Sequence, residues 1–126
     1  MINDPVIRRP KHHFETANQP SGVTFDDGDA RTHFPWSHFT LMRYSYSEPD
    51  VIKIMIGEWL VTVRGHNLEP LIEAIEKRSL AKLRAQPELM NDRKYEIDSF
   101  ATGIRLQPKA RGADGQPAQS ELPFFR

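Results

Sequence analysis

Apolar and polar positions alternate most cleanly over Val51-Ile-Lys-Ile-Met-Ile-Gly-Glu-Trp-Leu-Val-Thr-Val-Arg64. With Gly57 and Glu58 at the centre of a two-residue turn, glycine falls where a type II′ hairpin requires positive φ. That register pairs Ile56 with Trp59, Ile54 with Val61 and Ile52 with Val63 on one wholly apolar face. The opposite face receives Met55 with Leu60, Lys53 with Thr62 and Val51 with Arg64. A sheet covered on one side asks for this division, and a slip of one residue would destroy it.

A second hairpin is expected over Val23 to Phe34, with Asp27-Gly28 as a type I′ turn that sets Phe25 opposite Ala30 and Val23 opposite Thr32. Pro35 to His38 reads as a turn and Phe39 to Ser47 as a third strand, antiparallel to Val51–Ile56 after the Glu48-Pro-Asp50 turn. Beyond Arg64 the period changes from two to 3.6. Leu68, Leu71, Ile72, Ile75, Ser79 and Leu83 line one helical face, with Asn67 as N-cap and Pro70 in the first turn. Leu80 lies off that stripe, which points to a kink or a second short helix from Ser79. Pro87 ends the region, and Tyr95 to Leu106 holds one or two further strands.

Strands followed by a helix predict an α+β fold: a small antiparallel hairpin meander packed on one face by a C-terminal amphipathic helix, with flexible termini. The domain runs from residue 22 to 108, preceded by an N-terminal arm (1–21) and followed by a polar, Gly/Pro/Gln-containing tail (109–126).

Composition narrows the function. The chain has 126 residues, 17 basic and 17 acidic side chains, five histidines and no cysteine. Charge balance disfavours a generally basic nucleic-acid binder. Without cysteine there is no disulfide framework, thiolate zinc site or cysteine nucleophile. No apolar run is long enough for a bilayer span or follows a basic start as in a signal peptide, so a cytoplasmic location is expected, with no membrane partner.

Few residues carry chemistry in a recognisable pattern. Asp26, Asp27 and Asp29 around Gly28 fit a tight turn better than a calcium loop. His33 and His38 lack metal-ligand spacing, and no metal or cofactor is expected. The corner Arg64-Gly65-His66-Asn67 could hold a phosphate or carboxylate at a helix start, with Arg64 and a protonated His66 assisting. Trp36, Tyr44 and Tyr46, and Leu122, Phe124 and Phe125 in the tail, are the candidates for protein contact.

The leading expectation is therefore a small non-catalytic protein-interaction or regulatory module that binds a protein partner or itself as a homodimer. The alternative is an anion, nucleotide or nucleic-acid binder using Arg64 to Asn67. An enzyme ranks last, since it needs Arg64, His66 and a carboxylate such as Asp26 or Glu58 to converge in one cleft.

Overall fold

The Ile/Val-rich hairpin forms with the expected register, Ile56 opposite Trp59 through Val51 opposite Arg64, in a computed structural model that describes residues 9–109. Gly57 takes φ 59° while Glu58 keeps negative φ, as a type II′ turn requires. Its strands are β5 (Val51–Ile56) and β6 (Trp59–His66). β4 (Phe39–Tyr44) flanks β5 and β8 (Phe100–Pro108) flanks β6, giving an antiparallel sheet in the order β4-β5-β6-β8.

A second four-stranded sheet has the order β1-β7-β2-β3, from β1 (Phe14–Thr16), β2 (Gly22–Asp26), β3 (Arg31–Pro35) and β7 (Leu80–Arg84). Its β2–β7 pair is parallel and its other pairs are antiparallel. A short 3-10 turn at Trp36–His38 carries the chain from β3 to β4, and a bridge between Ala85 and Ala101 ties the end of β7 to β8.

The expected α+β meander with a covering C-terminal helix is thus corrected to a mostly β architecture of two sheets. Helix α1 spans only Glu69–Glu76, between β6 and β7. It ends in a Schellman motif: Arg78 adopts φ 53°, its N–H bonds to Ile75 O at 2.9 Å, and Ser79 N–H bonds to Ala74 O at 2.8 Å. Strand β7 comes next in the chain, and its apolar spacing imitates that of a helix. Opposite β1 the register skips Ala81, and this bulge places Leu80 and Leu83, three residues apart, both in the core.

Two further expectations are corrected. In the β2–β3 hairpin, Phe25 pairs with Thr32 and Val23 with Phe34, so the loop is two residues longer than a type I′ turn. Only Gly28 has positive φ there, and the Asp27 carboxylate closes the loop by accepting from Asp29 N at 2.8 Å and Ala30 N at 2.9 Å. Nor does Asn67 cap the helix. Leu68 is the N-cap and makes no side-chain cap bond, while Asn67 takes a left-handed φ of 51°.

One core joins both sheets and the helix: Val23 and Phe25 from β2, Ile52, Ile54 and Ile56 from β5, Val61 and Val63 from β6, Leu71 and Ile75 from α1, and Leu80 and Leu83 from β7. Leu71, Ile72 and Ile75 of α1 are buried in this shared core, and the helix does not form a layer covering one sheet as expected. Residues 11–16, within the stretch read as an arm, are docked through β1 and through Asp98. Among the described residues no helix is long and apolar enough to cross a membrane.

Candidate functional site

Strand alternation divides the β4-β5-β6-β8 sheet into two unlike faces. Its inner face is the core. Its outer face is set by the paired residues between the core-facing ones: Leu41–Met55–Leu60–Gln107 in one row, Arg43–Lys53–Thr62–Arg105 in the next, and Val51–Arg64–Gly103 beyond. Met55 and Leu60 are buried with Leu41 packed on them, a small apolar cluster separate from the main core. Every charged residue of these rows is cationic. Arg43, Arg64 and Arg105 are exposed and Lys53 is half-buried, and no acidic residue stands in these rows.

Strands lie about 4.8 Å apart, so the Arg43–Lys53–Thr62–Arg105 row crosses about 14 Å of sheet. Arg43 and Lys53 are direct cross-strand neighbours, an arrangement of like charges that disfavours the sheet. No ion pair joins any of these four cations to a described residue. Within residues 9–109 the charge therefore serves no internal pairing.

The corner singled out from sequence is divided between this face and internal fastening. Arg64 belongs to the cationic face, and its carbonyl accepts from Thr102 Oγ1 at 3.3 Å. Gly65 lies where β8 crosses closely, and a Cβ there would fall on Phe100 O and the Leu68 side chain. His66 Nε2 is hydrogen-bonded to Glu96 O, and Asn67 Nδ2 donates to Glu96 O and Asp98 O at 3.1 Å each. These polar groups hold the 93–99 segment, so those hydrogen bonds do not point to an anion. The His66 ring also lies 5.3 Å from Phe100 and borders a cavity of about 230 Å³ with Leu89, Met90 and Tyr95.

The aromatics separate in the same way. Trp36 is buried, with its indole N–H donating to Leu80 O at 3.0 Å, and is a core residue. Tyr44 is half-buried and donates to Pro49 O at 3.2 Å; partial burial, with Glu69 nearby, pushes its phenol above the ordinary range and keeps it a neutral donor. Tyr46 is 91% exposed, edge-on to Tyr44. Leu122, Phe124 and Phe125 lie outside the described residues.

Of the residues weighed for an enzyme, Arg64 and His66 lie on β6 and the two carboxylates lie elsewhere. Glu58 and His66 stand at opposite ends of β6, about 25 Å apart at strand rise. Asp26 belongs to the other sheet, where its carboxylate accepts from Gly28 N at 3.0 Å. Backbone N–H groups of Ala30 and Asp29 hold the Asp27 carboxyl below its usual range, which marks it as a turn residue. His33 Nδ1 is 2.9 Å from Thr24 Oγ1, and no cluster of three His, Asp or Glu able to hold a metal forms among the described residues.

Sequence reasoning missed one buried pair. Asp98 is fully buried, accepts from Lys11 N at 3.0 Å and lies 2.7 Å from His13 Nε2. Ser99 Oγ beside it is buried and makes no bond to this histidine, so the pair acts as a fastening for the N-terminal stretch rather than as a base for a nucleophile. No local pattern announces it, since the partners are separated by most of the chain. The cationic row had a partial signal: the hairpin register already set Lys53 and Arg64 on one face, but Arg43 and Arg105 join them only through β4 and β8. Compared with known proteins, the chain matches no family model, no curated protein and no solved structure.

Proposed function

We propose that the chain is a small non-catalytic interaction module that docks an acidic protein partner on the outer face of the β4-β5-β6-β8 sheet. The observation that carries this reading is the row Arg43–Lys53–Thr62–Arg105 with Arg64 beside it, cations without counter-ions among the described residues, held on four paired strands. A rigid array of like charge steers and orients an oppositely charged partner. Leu41, half-exposed over the buried Met55 and Leu60, adds an apolar contact beside the charges.

Nucleic acid is the weaker occupant. The rows of the outer face carry no aromatic side chain on which a base could stack, and the whole chain has no net charge. The test is a titration with poly-L-glutamate at low and high salt, with single-stranded RNA of equal charge as competitor. Binding that weakens with salt and falls at least tenfold in the Lys53→Glu/Arg105→Glu double variant supports the proposal. Absence of binding at low ionic strength overturns it. Tighter binding of RNA moves the assignment to a nucleic-acid surface.

A further inference from the structure

Among the described residues, two backbone positions beside the cationic row, Ile104 and Leu106, are themselves unpaired. In a two-residue hairpin the residues flanking the turn exchange both hydrogen bonds, so Trp59, Val61 and Val63 bond to β5. Leu60, Thr62 and Arg64 then bond to their partners Gln107, Arg105 and Gly103 on β8. The bond from Lys109 N to Glu58 O at 2.8 Å continues the same alternate set. The N–H and C=O groups of Ile104 and Leu106 therefore point away from β6, toward the open edge of the sheet.

At the start of β8 that edge is closed, since Ala101 O accepts from Gln86 N at 2.8 Å. Beyond Ala101 no pairing of β8 with β7 is found, and among the described residues no partner reaches the outward N–H and C=O groups of Ile104 or Leu106. Their side chains turn inward and pack, half-exposed, against the main core. Between them Arg105 turns outward into the cationic row. Pro108, which lacks an N–H, ends the edge.

We propose that the β8 edge at Ile104–Leu106 accepts an additional β-strand from the acidic partner, an extended segment in which apolar and acidic residues alternate. Residues of that strand opposite Ile104 and Leu106 extend the apolar inner face, and the acidic residues between and beside them meet Arg105 and the row behind it. Main-chain bonds supply affinity, and the two faces supply specificity. A second copy of this chain is the disfavoured occupant, because pairing β8 with itself brings two cationic rows together. This inference rests on the reading of the outer face as an acidic-partner surface.

The test uses the full chain and three synthetic peptides. One alternates glutamate and valine over seven residues, one has the same composition in two blocks, and one is the alternating peptide N-methylated at every valine. The expected result is that the alternating peptide binds at least tenfold more tightly than the other two. Amide exchange at Ile104 and Leu106 should be fast in the free protein and slow at least tenfold on binding. Leu106→Pro removes the outward N–H together with the half-exposed Leu106 side chain at the rim of the core, and in a variant that still folds it should abolish this preference. Should that variant misfold, the N-methylated peptide still decides.

Equal binding of the alternating and blocked peptides, with exchange unchanged, overturns the edge proposal and leaves the charged-face reading standing. Failure of every peptide and of poly-L-glutamate at low salt overturns both. A protein mass that doubles without peptide, with Ile104 and Leu106 already protected, assigns the edge to a second copy and overturns the proposal.

Discussion

The two faces of the β4-β5-β6-β8 sheet come from the same strands in the same register, yet they obey different constraints. Inside, Ile52, Ile54 and Val61 are fully buried in the core they share with α1 and the other sheet, and each must match its neighbours in shape. Outside, Lys53 and Thr62 are only half-buried, and shape demands little of them. A hydrophobic face reports how the chain folds, because burial selects it. The cations of the other face are paired with no described residue, and the proposed docking role rests on that contrast.

The contrast can be broken most forcefully from the inside. Ile54→Ala should cost about 2–5 kcal/mol, read from the urea midpoint, because the core cannot fully collapse around the missing atoms. A loss under about 1 kcal/mol would mean that the inner face is not the tightly packed one. Gly65→Ala should cost about 1–3 kcal/mol by pressing a methyl group against the Phe100 carbonyl and Leu68. An unchanged midpoint there would show that β8 can shift away from β6.

On the outside, Lys53→Glu should change stability by only about 0.2–1 kcal/mol, and in the stabilising direction, since it turns a like-charge pair with Arg43 into an opposite one. The same change should weaken poly-L-glutamate binding. A marked loss of stability would place Lys53 among the structural residues and blur the division between the faces.

The smallest effect is expected at Asp27, which lies on neither face. Its folded carboxyl titrates below the ordinary range, so its contribution is complete above the unfolded value of about 3.9 and is lost as pH falls through the lower folded value. Asp27→Asn should flatten the acid limb of the stability–pH curve. An acid limb of unchanged slope would show that the loop bonds to Asp29 and Ala30 do not persist in solution.

How far each element could be read from sequence depends on how local its cause is. The β5–β6 hairpin was legible residue by residue, because a glycine turn and matching apolar alternation both specify the same register. The β2–β3 strands were legible, but their turn was not, because Asp27 closes a longer loop with side-chain bonds that no dipeptide rule anticipates. The helix was extended too far because Leu80 and Leu83, three apart across a bulge, share the helical spacing. The corner Arg64 to Asn67 is not one unit: Arg64 lies on the cationic face, while His66 and Asn67 turn to the carbonyls of a segment some thirty residues on.

Net charge does not reveal the cationic row, for a related reason. Up to Val63 the chain has eight acidic side chains and six basic ones, a slightly acidic half. Its acids gather in turns, as at Asp26 to Asp29 and Glu48 to Asp50, while Arg43 and Lys53 stand on strands. A sum along the chain cannot see that separation.

Sequence alone determined the hairpin, its two-faced alternation and the absence of thiol chemistry, since each depends on neighbours in the chain or on composition. Tertiary structure alone decided that residues 80–84 form a strand, that Asp98 fastens the N-terminal stretch, and that β4 and β8 bring Arg43 and Arg105 into line with Lys53. Those outcomes depend on pairings between distant segments, whose register is set by the packing of the whole core.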